Sequence, residues 1–338
     1  MKKLLSILLV IVMCFSFSAS AFALENKNEV VEFPKAISDE ELAEILKTAQ
    51  PVETPILNSS QLNQKTPRER TGYVVYNPKT KETQFENFSF EPSRSLGQSV
   101  PQYVPNKAIN GNSRAVTIPG MAMISDTTQS PWCSTVLLVI HTPVGTKLGS
   151  GFMIGPNTVA TVGHNVYQQQ WGGFAYNIVV VPASNGVQQP YGSYLTEDYT
   201  CGGNWYNYED NQDDWAIIRL PSNVGYATGY LGLRWQSDSY NGRFVYSVGY
   251  PELDDDNMYR ATGNVISSSA RTLTGNWSSM QGMSGGPLHS NYSDTGYTAI
   301  GFNRGGGQNG SYADAMRIDE WIYNLFILYR NQANIEVE

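Results

Sequence analysis

The stretch GSGFMIGPNTVATVGHNVY, residues 149–167, decides how the rest of the chain is read. At its centre, Thr158-Val159-Ala160-Thr161 is a run of small and β-branched residues that breaks at Gly163, the pattern of a strand ending in a turn. The next residue, His164, is one of three histidines in 338 residues. A strand end is a rigid platform from which an imidazole can project into a cleft. Taken alone, such a histidine has an ordinary alternative as a packed or surface side chain, and His141 and His289 are read that way.

Outward from this point the texture is all-β. Short apolar or alternating runs recur at 135–140, 151–154, 158–161, 177–181, 215–220, 243–248 and 297–302. Gly, Pro and Asn clusters separate them at the intervals of a sandwich or barrel. Only the end differs: Ile318, Trp321, Ile322, Leu325 and Tyr329 follow helical spacing, which predicts a C-terminal helix packed on the barrel body.

Upstream of residue 115 the chain changes character. Lys2 and Lys3 precede an apolar run from Leu4 to Phe17 and then Ala21-Phe22-Ala23, so residues 1–23 read as a secretory signal peptide cut after Ala23. A retained N-terminal membrane anchor is the alternative. No other apolar run is long enough to cross a bilayer, so the product is expected to be soluble and extracellular. Residues 24–114 carry one helix signature, the capping box Ser38-Asp39-Glu40-Glu41, followed by seven scattered prolines, Pro51 to Pro105, amid polar residues. They read as a loosely folded pro-segment ending in the linker Asn110-Gly111-Asn112-Ser113-Arg114; the alternative is a tail with no role.

Composition narrows the function. Cys14 leaves with the signal, and Cys133 and Cys201 make no disulfide framework; whether they pair is open. There is no C-x-x-C, H-E-x-x-H or Walker-type glycine loop, so neither a metal nor an organic cofactor is expected. After Arg114 there are one lysine and eight arginines against eighteen acidic residues. Such a surface repels polyphosphate, which argues against a nucleic-acid partner. The cluster Glu252-Leu253-Asp254-Asp255-Asp256-Asn257 lacks EF-hand spacing and reads as a solvated acidic loop rather than a Ca²⁺ site.

Two further segments complete a pattern. In Gln281-Gly282-Met283-Ser284-Gly285-Gly286-Pro287, glycines around a serine permit backbone conformations closed to other residues. They also let the N–H groups of Gly282 and Ser284 converge on a developing oxyanion. In Asp213-Asp214-Trp215-Ala216-Ile217-Ile218, an acidic pair enters an apolar strand. Asp214 sits where burial begins and needs a partner such as an imidazole N–H, whereas Asp213 reads as part of a solvated turn. The bland alternatives are a glycine-rich turn with an incidental serine and an ordinary strand entry.

The order His164…Asp214…Ser284 in an all-β chain resembles the chymotrypsin-like serine proteases, with T-V-G-H in place of T-A-A-H and G-M-S-G-G-P in place of G-D-S-G-G-P. The likeness is greater to the bacterial glutamyl endopeptidases, whose G-W-M-I-G-P-x-T-V-A-T-A-G-H is similar to residues 151–164, and it covers roughly residues 115–330. It implies two antiparallel six-stranded β-barrels with the active site between them, a C-terminal helix and a protease domain at 115–338. It also implies secretion as a zymogen and action on proteins or peptides, expected as a monomer free of the membrane once the signal is removed.

The resemblance assigns His164 as general base, Asp214 as its orienting partner, Ser284 as nucleophile, and Gly282 and Ser284 N–H as oxyanion hole. Asn165 stands where many relatives carry a disulfide cysteine. Ser278 stands where trypsin has its pocket aspartate, so basic side chains lack a counter-charge. Ser279 matches the Ser or Thr that binds the substrate carboxylate in glutamyl endopeptidases. Asn303 replaces the family's pocket histidine; its amide can donate, while Arg304 is adjacent and Arg304 to Gly306, Gly305 included, offers an edge for the substrate backbone. The expected preference is Glu, less often Asp, with weaker discrimination than the family shows. A neutral or apolar preference is the alternative, and a catalytically dead binding module or an esterase are the other classes weighed. All three triad candidates are present, and the G-x-S-x-G elbow of α/β-hydrolases is absent.

Overall fold

β-branched and aromatic runs punctuated by glycine turns fold here into strands nearly throughout. The computed structural model describes residues 32–53, 67–105, 117–118, 120–253, 257–306 and 313–332. The expected signal peptide, the linker, the centre of the acidic loop and the extreme C-terminus lie outside the described residues.

In chain order, helix α1 (Asp39–Thr48) is followed by β1 (Gln50–Pro51), β2 (Gly72–Asn77), β3 (Glu82–Asn87) and β4 (Gly97–Val100). Next come β5 (Thr117–Ile118), β6 (Met121–Met123), β7 (Thr135–Thr142), β8 (Gly145–Met153) and β9 (Thr158–Thr161). The short β10 (Tyr167–Gln168) and β11 (Gly173–Phe174) precede β12 (Asn177–Pro182), β13 (Tyr194–Thr196), β14 (Tyr199–Gly202) and β15 (Ala216–Arg219). The rest is β16 (Gly232–Gln236), β17 (Phe244–Gly249), β18 (Tyr259–Ser268), β19 (Thr272–Gly275), β20 (Pro287–Tyr292), β21 (Gly296–Gly306), β22 (Ala313–Arg317) and the C-terminal helix Glu320–Asn331. The runs read as strands all lie in or against β7, β8, β9, β12, β15, β17 and β21, and the helix falls where its periodicity placed it.

The described strands make two large, mainly antiparallel sheets and the two-stranded β10-β11. The first runs β13-β12-β7-β8-β9-β15-β14-β2-β3 and is open, which corrects the expectation of two closed six-stranded barrels: β2 of the leader occupies the edge of β14, so β14 does not pair back to β13. The other closes as a six-stranded barrel, β17-β20-β21-β22-β19-β18, through the β17–β18 pairing. Val136, Leu138 and Ile140 of β7 point into the first core with Val159, Ile178, Val180 and Ile218. Their neighbours Leu137 and Val139 face the opposite way, against Val248 and Tyr250 of the closed barrel and Leu42 and Leu46 of α1. Both faces of β7 are thus covered, which is why its sequence is continuously apolar rather than alternating. The C-terminal helix, capped by Asp319 accepting from Ile322 N at 3.0 Å, buries Ile322, Leu325 and Phe326 against Phe152, Trp215, Ile217 and Phe302.

The leader is more ordered than its prolines imply, which corrects the expectation of a loose segment. Ser38 and Glu41 form the capping box that opens α1. β1 pairs in parallel with β8 at Lys147–Leu148, β2 adds to the free edge of β14, and β4 adds to β16. Among the described residues Pro51 lies in the two-residue β1, and Pro67, Pro78, Pro92, Pro101 and Pro105 lie outside strands, where a missing N–H costs little.

Register positions the site. β9 and β15 are antiparallel with Thr161 opposite Ala216, so the C-terminal end of β9 and the N-terminal end of β15 lie together at one end of the sheet. His164, just after β9, and Asp214, just before β15, are brought together there. In the closed barrel Pro287 of β20 pairs with Phe302 of β21, which sets the Ser284 turn beside Asn303 and Arg304.

Candidate active site

His164 sits in a single 3-10 turn, Gly163–Asn165, directly after β9. The glycine is required: a Cβ there would lie 2.6 Å from the Trp205 indole, which packs over the imidazole. Asp214 uses both carboxylate oxygens on His164. Oδ1 accepts from the backbone N–H at 2.9 Å, and Oδ2 lies 2.8 Å from Nδ1. A carboxylate can only accept, so Nδ1 carries the proton and Nε2 presents its lone pair. Both side chains are buried, and Nε2 has no hydrogen-bond partner among the described residues. The imidazole is thus held in one tautomer.

The serine turn is built by close backbone approach. Gly282 and Gly285 both have φ of +86°, and a Cβ on Gly282 would fall 2.3 Å from the Tyr250 carbonyl. Ser150 Oγ donates to Gly282 O at 2.7 Å and accepts from Tyr250 N at 2.9 Å, fixing that peptide. Gly282 N–H has no acceptor among the described residues, which leaves it available to an incoming oxyanion. Ser284 Oγ is 3.4 Å from Arg304 O, and the Ser284 carbonyl accepts from Ser150 N at 2.9 Å.

Asn165 joins the two halves. Its buried Nδ2 donates to Thr161 Oγ1 at 2.9 Å, Ser284 O at 3.0 Å and Ser150 O at 3.3 Å. The amide therefore ties the His164 turn to the Ser284 turn. Its sequence signal was an asparagine at a position expected to hold cysteine; the bonding was not readable there. Cys133 and Cys201 are both free and buried, and burial pushes the Cys133 thiol up to about 12.

The residues expected to bind the substrate side chain are dispersed. Ser279 is half-buried on the loop before the nucleophile. The Asn303 amide faces inward, accepting from Ser247 Oγ at 2.9 Å and donating to Val248 O at 3.4 Å. The Arg304 guanidinium is buried against Asp314 and donates to Asn211 O, so its charge is spent inside the fold. Gly305 continues β21 opposite Asp314. Desolvation raises the Asp314 carboxyl above its ordinary value, Arg304 opposes the rise, and the nearby Asp214 charge adds to it.

Asp213 departs from its expected place in a solvated turn. It is fully buried, ion-paired with Arg70 of the leader, and accepts from Trp215 Nε1 at 2.8 Å and Asn204 N at 2.9 Å. The partner lies 143 residues upstream, beyond any local pattern.

Residues 149–295 match a family model described as a trypsin-like peptidase domain. Over 213 residues the chain is 34% identical to a Bacillus subtilis protein named extracellular metalloprotease, covering 62% of this chain and 67% of that one. Over 273 residues it is 26% identical to the glutamyl endopeptidase of Bacillus licheniformis, covering 77% and 84% respectively. The fold superposes on a solved Glu endopeptidase with a TM-score of 0.57 at 21% identity, over 63% of this chain and 97% of that one. It also superposes on the protease Anisep of Arthrobacter nicotinovorans with a TM-score of 0.52 at 20% identity, over 60% and 98%. The metal in the Bacillus subtilis protein's name finds no matching donor set here. Among the described residues no three His, Cys, Asp or Glu side chains cluster to hold an ion, and His164 already spends Nδ1 on Asp214.

Proposed function

The chain belongs to the trypsin-like serine endopeptidases and is similar to the glutamyl endopeptidases, and from that premise we propose a His164–Asp214–Ser284 triad that cleaves peptide bonds through an acyl-enzyme. The observation that carries this reading is the buried imidazole with Nδ1 held by Asp214 and Nε2 unpartnered among the described residues. A serine hydroxyl is a weak nucleophile near neutrality and needs such a base. Nε2 takes the Ser284 Oγ proton as the oxygen attacks the substrate carbonyl. Gly282 and Ser284 N–H receive the oxyanion, and Asp214 stabilises the imidazolium. The imidazolium then protonates the leaving amine, and water, deprotonated by the same nitrogen, releases the acid and restores Ser284.

Ser284→Ala removes the nucleophile and leaves the turn's glycines intact. Turnover is expected to fall by several orders of magnitude, on the order of 10⁶ in the subtilisin precedent, with unchanged secretion and melting temperature. A few per cent of residual activity would refute the triad. Labelling by a serine-directed phosphonate, fast in the natural chain and absent in the variant, separates an enzyme from a dead binding module.

We further propose export with the signal removed after Ala23, and a zymogen whose linker is cut between about Lys107 and Ala115, at Arg114–Ala115 by preference. Residues 24–114 are then the pro-segment and 115–338 the protease domain. N-terminal sequencing of the secreted protein checks this, and a mature start before residue 100 contradicts it.

For specificity we propose Glu, less often Asp, before the scissile bond. Ser279 and the likeness to a glutamyl endopeptidase support it. The inward-facing Asn303 amide and the Arg304–Asp314 pair support a second reading, a neutral or apolar preference, because neither side chain offers the pocket a cation. Arg304 to Gly306 pairs with the substrate backbone in either case. Cleavage profiling on a peptide library decides between them, and a preference for Lys or Arg would defeat both.

A further inference from the structure

The leader reaches the turn before Asp214 through two arginines: Arg68, exposed with Nε 3.5 Å from Asp210, and Arg70 at its buried centre. Arg70 is buried at the junction of the two carboxylates Asp213 and Asp319, ion-paired to both, and its Nη2 donates to Gln212 O at 3.0 Å. Asp213 immediately precedes Asp214, and Asp319 caps the C-terminal helix, so one guanidinium bridges the catalytic turn and that helix. Arg271 lies beside the same pair, 3.9 Å from Asp319, with its Nη1 buried and unpartnered among the described residues. With Arg70 in place, two carboxylates face two guanidiniums. Without it they face one, and a buried carboxylate stands uncompensated next to Asp214. Breaking a buried pair from one side is the costly way to lose it.

Strand pairings reinforce this contact. Tyr73 to Tyr76 of β2 run along Tyr199 to Gly202, with Val74 buried in the first core. Four residues of β4 pair with β16, and Val52 N donates to Leu148 O at 2.8 Å beside β1. These contacts engage both large sheets and do not involve the linker.

We infer that cutting the linker does not free the leader: its described parts, residues 32–53 and 67–105, stay docked as a non-covalent subunit, clasped by Arg70 between Asp213 and Asp319. This rests on the linker cut proposed above and adds that release is a separate, later event. Leu46, Gln50 and Pro51 share a cavity of about 310 Å³ with Leu148, Tyr250 and Gly282, so the docked leader covers ground beside the oxyanion donor.

The test uses the full chain with Ser284→Ala, so that self-digestion plays no part, and with residues 110–114 replaced by the recognition sequence of a site-specific protease. Failure of the catalytic assignment or of the natural cut point then cannot affect the result. After complete cleavage the two fragments are expected to co-elute at neutral pH on size exclusion and appear as one complex in native mass spectrometry. Arg70→Met should speed dissociation at least about 100-fold, and Asp213→Asn should do likewise. Arg70→Lys keeps the charge without the fork and should fall between, which preserves the test if the Met chain does not fold. Separation of the unsubstituted fragments at the rate seen for Arg70→Met, or equal retention in all four, overturns the inference.

Discussion

At the scale of single residues, the site is held by short polar side chains that make several bonds each. Asn165 has three acceptors, one from each of the segments that must meet: β8, β9 and the nucleophile turn. Asn165→Ala should therefore displace His164 and Ser284 relative to one another without emptying a hydrophobic core. At roughly 1 kcal/mol per neutral hydrogen bond, the loss amounts to about 10- to 100-fold. It should appear in kcat with KM nearly unchanged, because the amide touches machinery rather than substrate. Steady-state kinetics check this, and a change confined to KM would refute it. The same residues mark where a sequence stops being informative. His164, Asp214 and Ser284 stood out as candidates because each carries a local signature, namely a strand end, an acidic entry to an apolar run and flanking glycines. Asp213 was not, because its burial depends on Arg70, and Asn165 was legible only as a missing cysteine. Long-range partners leave no local pattern.

At the scale of elements, seven strands after residue 115 (β7, β8, β9, β12, β15, β17 and β21) were readable and the remaining strands, the leader's among them, were not. Strands such as β7 and β12 are buried on both faces and are written as unbroken apolar runs. β3 reads ETQFEN, mostly exposed, and owes its conformation to pairing with β2 rather than to burial. α1 was readable because a capping box is a local device, and its packing was not. Leu42 is 0% exposed and lies against Leu137, Val139, Val248 and Tyr250, so α1 bridges the open sheet and the closed barrel. Leu42→Ala should cost the uncut chain about 2–5 kcal/mol, the range for a buried leucine that leaves a cavity. If the linker is cut as proposed above, the separated fragment from about residue 115 onward lacks that residue and should be unaffected by the substitution in its precursor. Urea unfolding of the uncut Ser284→Ala chain, with and without Leu42→Ala, measures the difference. Midpoints that coincide would show that α1 rests on the sheets without stabilising them.

At the scale of the whole molecule, the contact around His289 ties the fold's stability to pH. His289 of β20 is buried in an aromatic box, stacked on Tyr246 of β17, edge-on to Tyr297 of β21 and against Trp132 from the turn leading into β7. Neither ring nitrogen has a hydrogen-bond partner among the described residues. Burial pushes the imidazole down to about 3 from its ordinary 6.5. Between those values the unfolded chain binds a proton that the folded chain does not. Stability from this group is thus fully present above about pH 6.5 and falls as the pH drops toward 3. The slope is about 1.4 kcal/mol per pH unit within that window. His289→Phe keeps an aromatic ring in the box and removes the titration. Denaturant unfolding at pH 6.5 and pH 4.5 should show the natural chain losing about 2–3 kcal/mol more than the variant over those two units. Carboxylates elsewhere titrate alike in both chains and cancel from the difference. Equal losses in the two chains would mean that the folded protein accepts the proton at His289, and that the box opens to admit it.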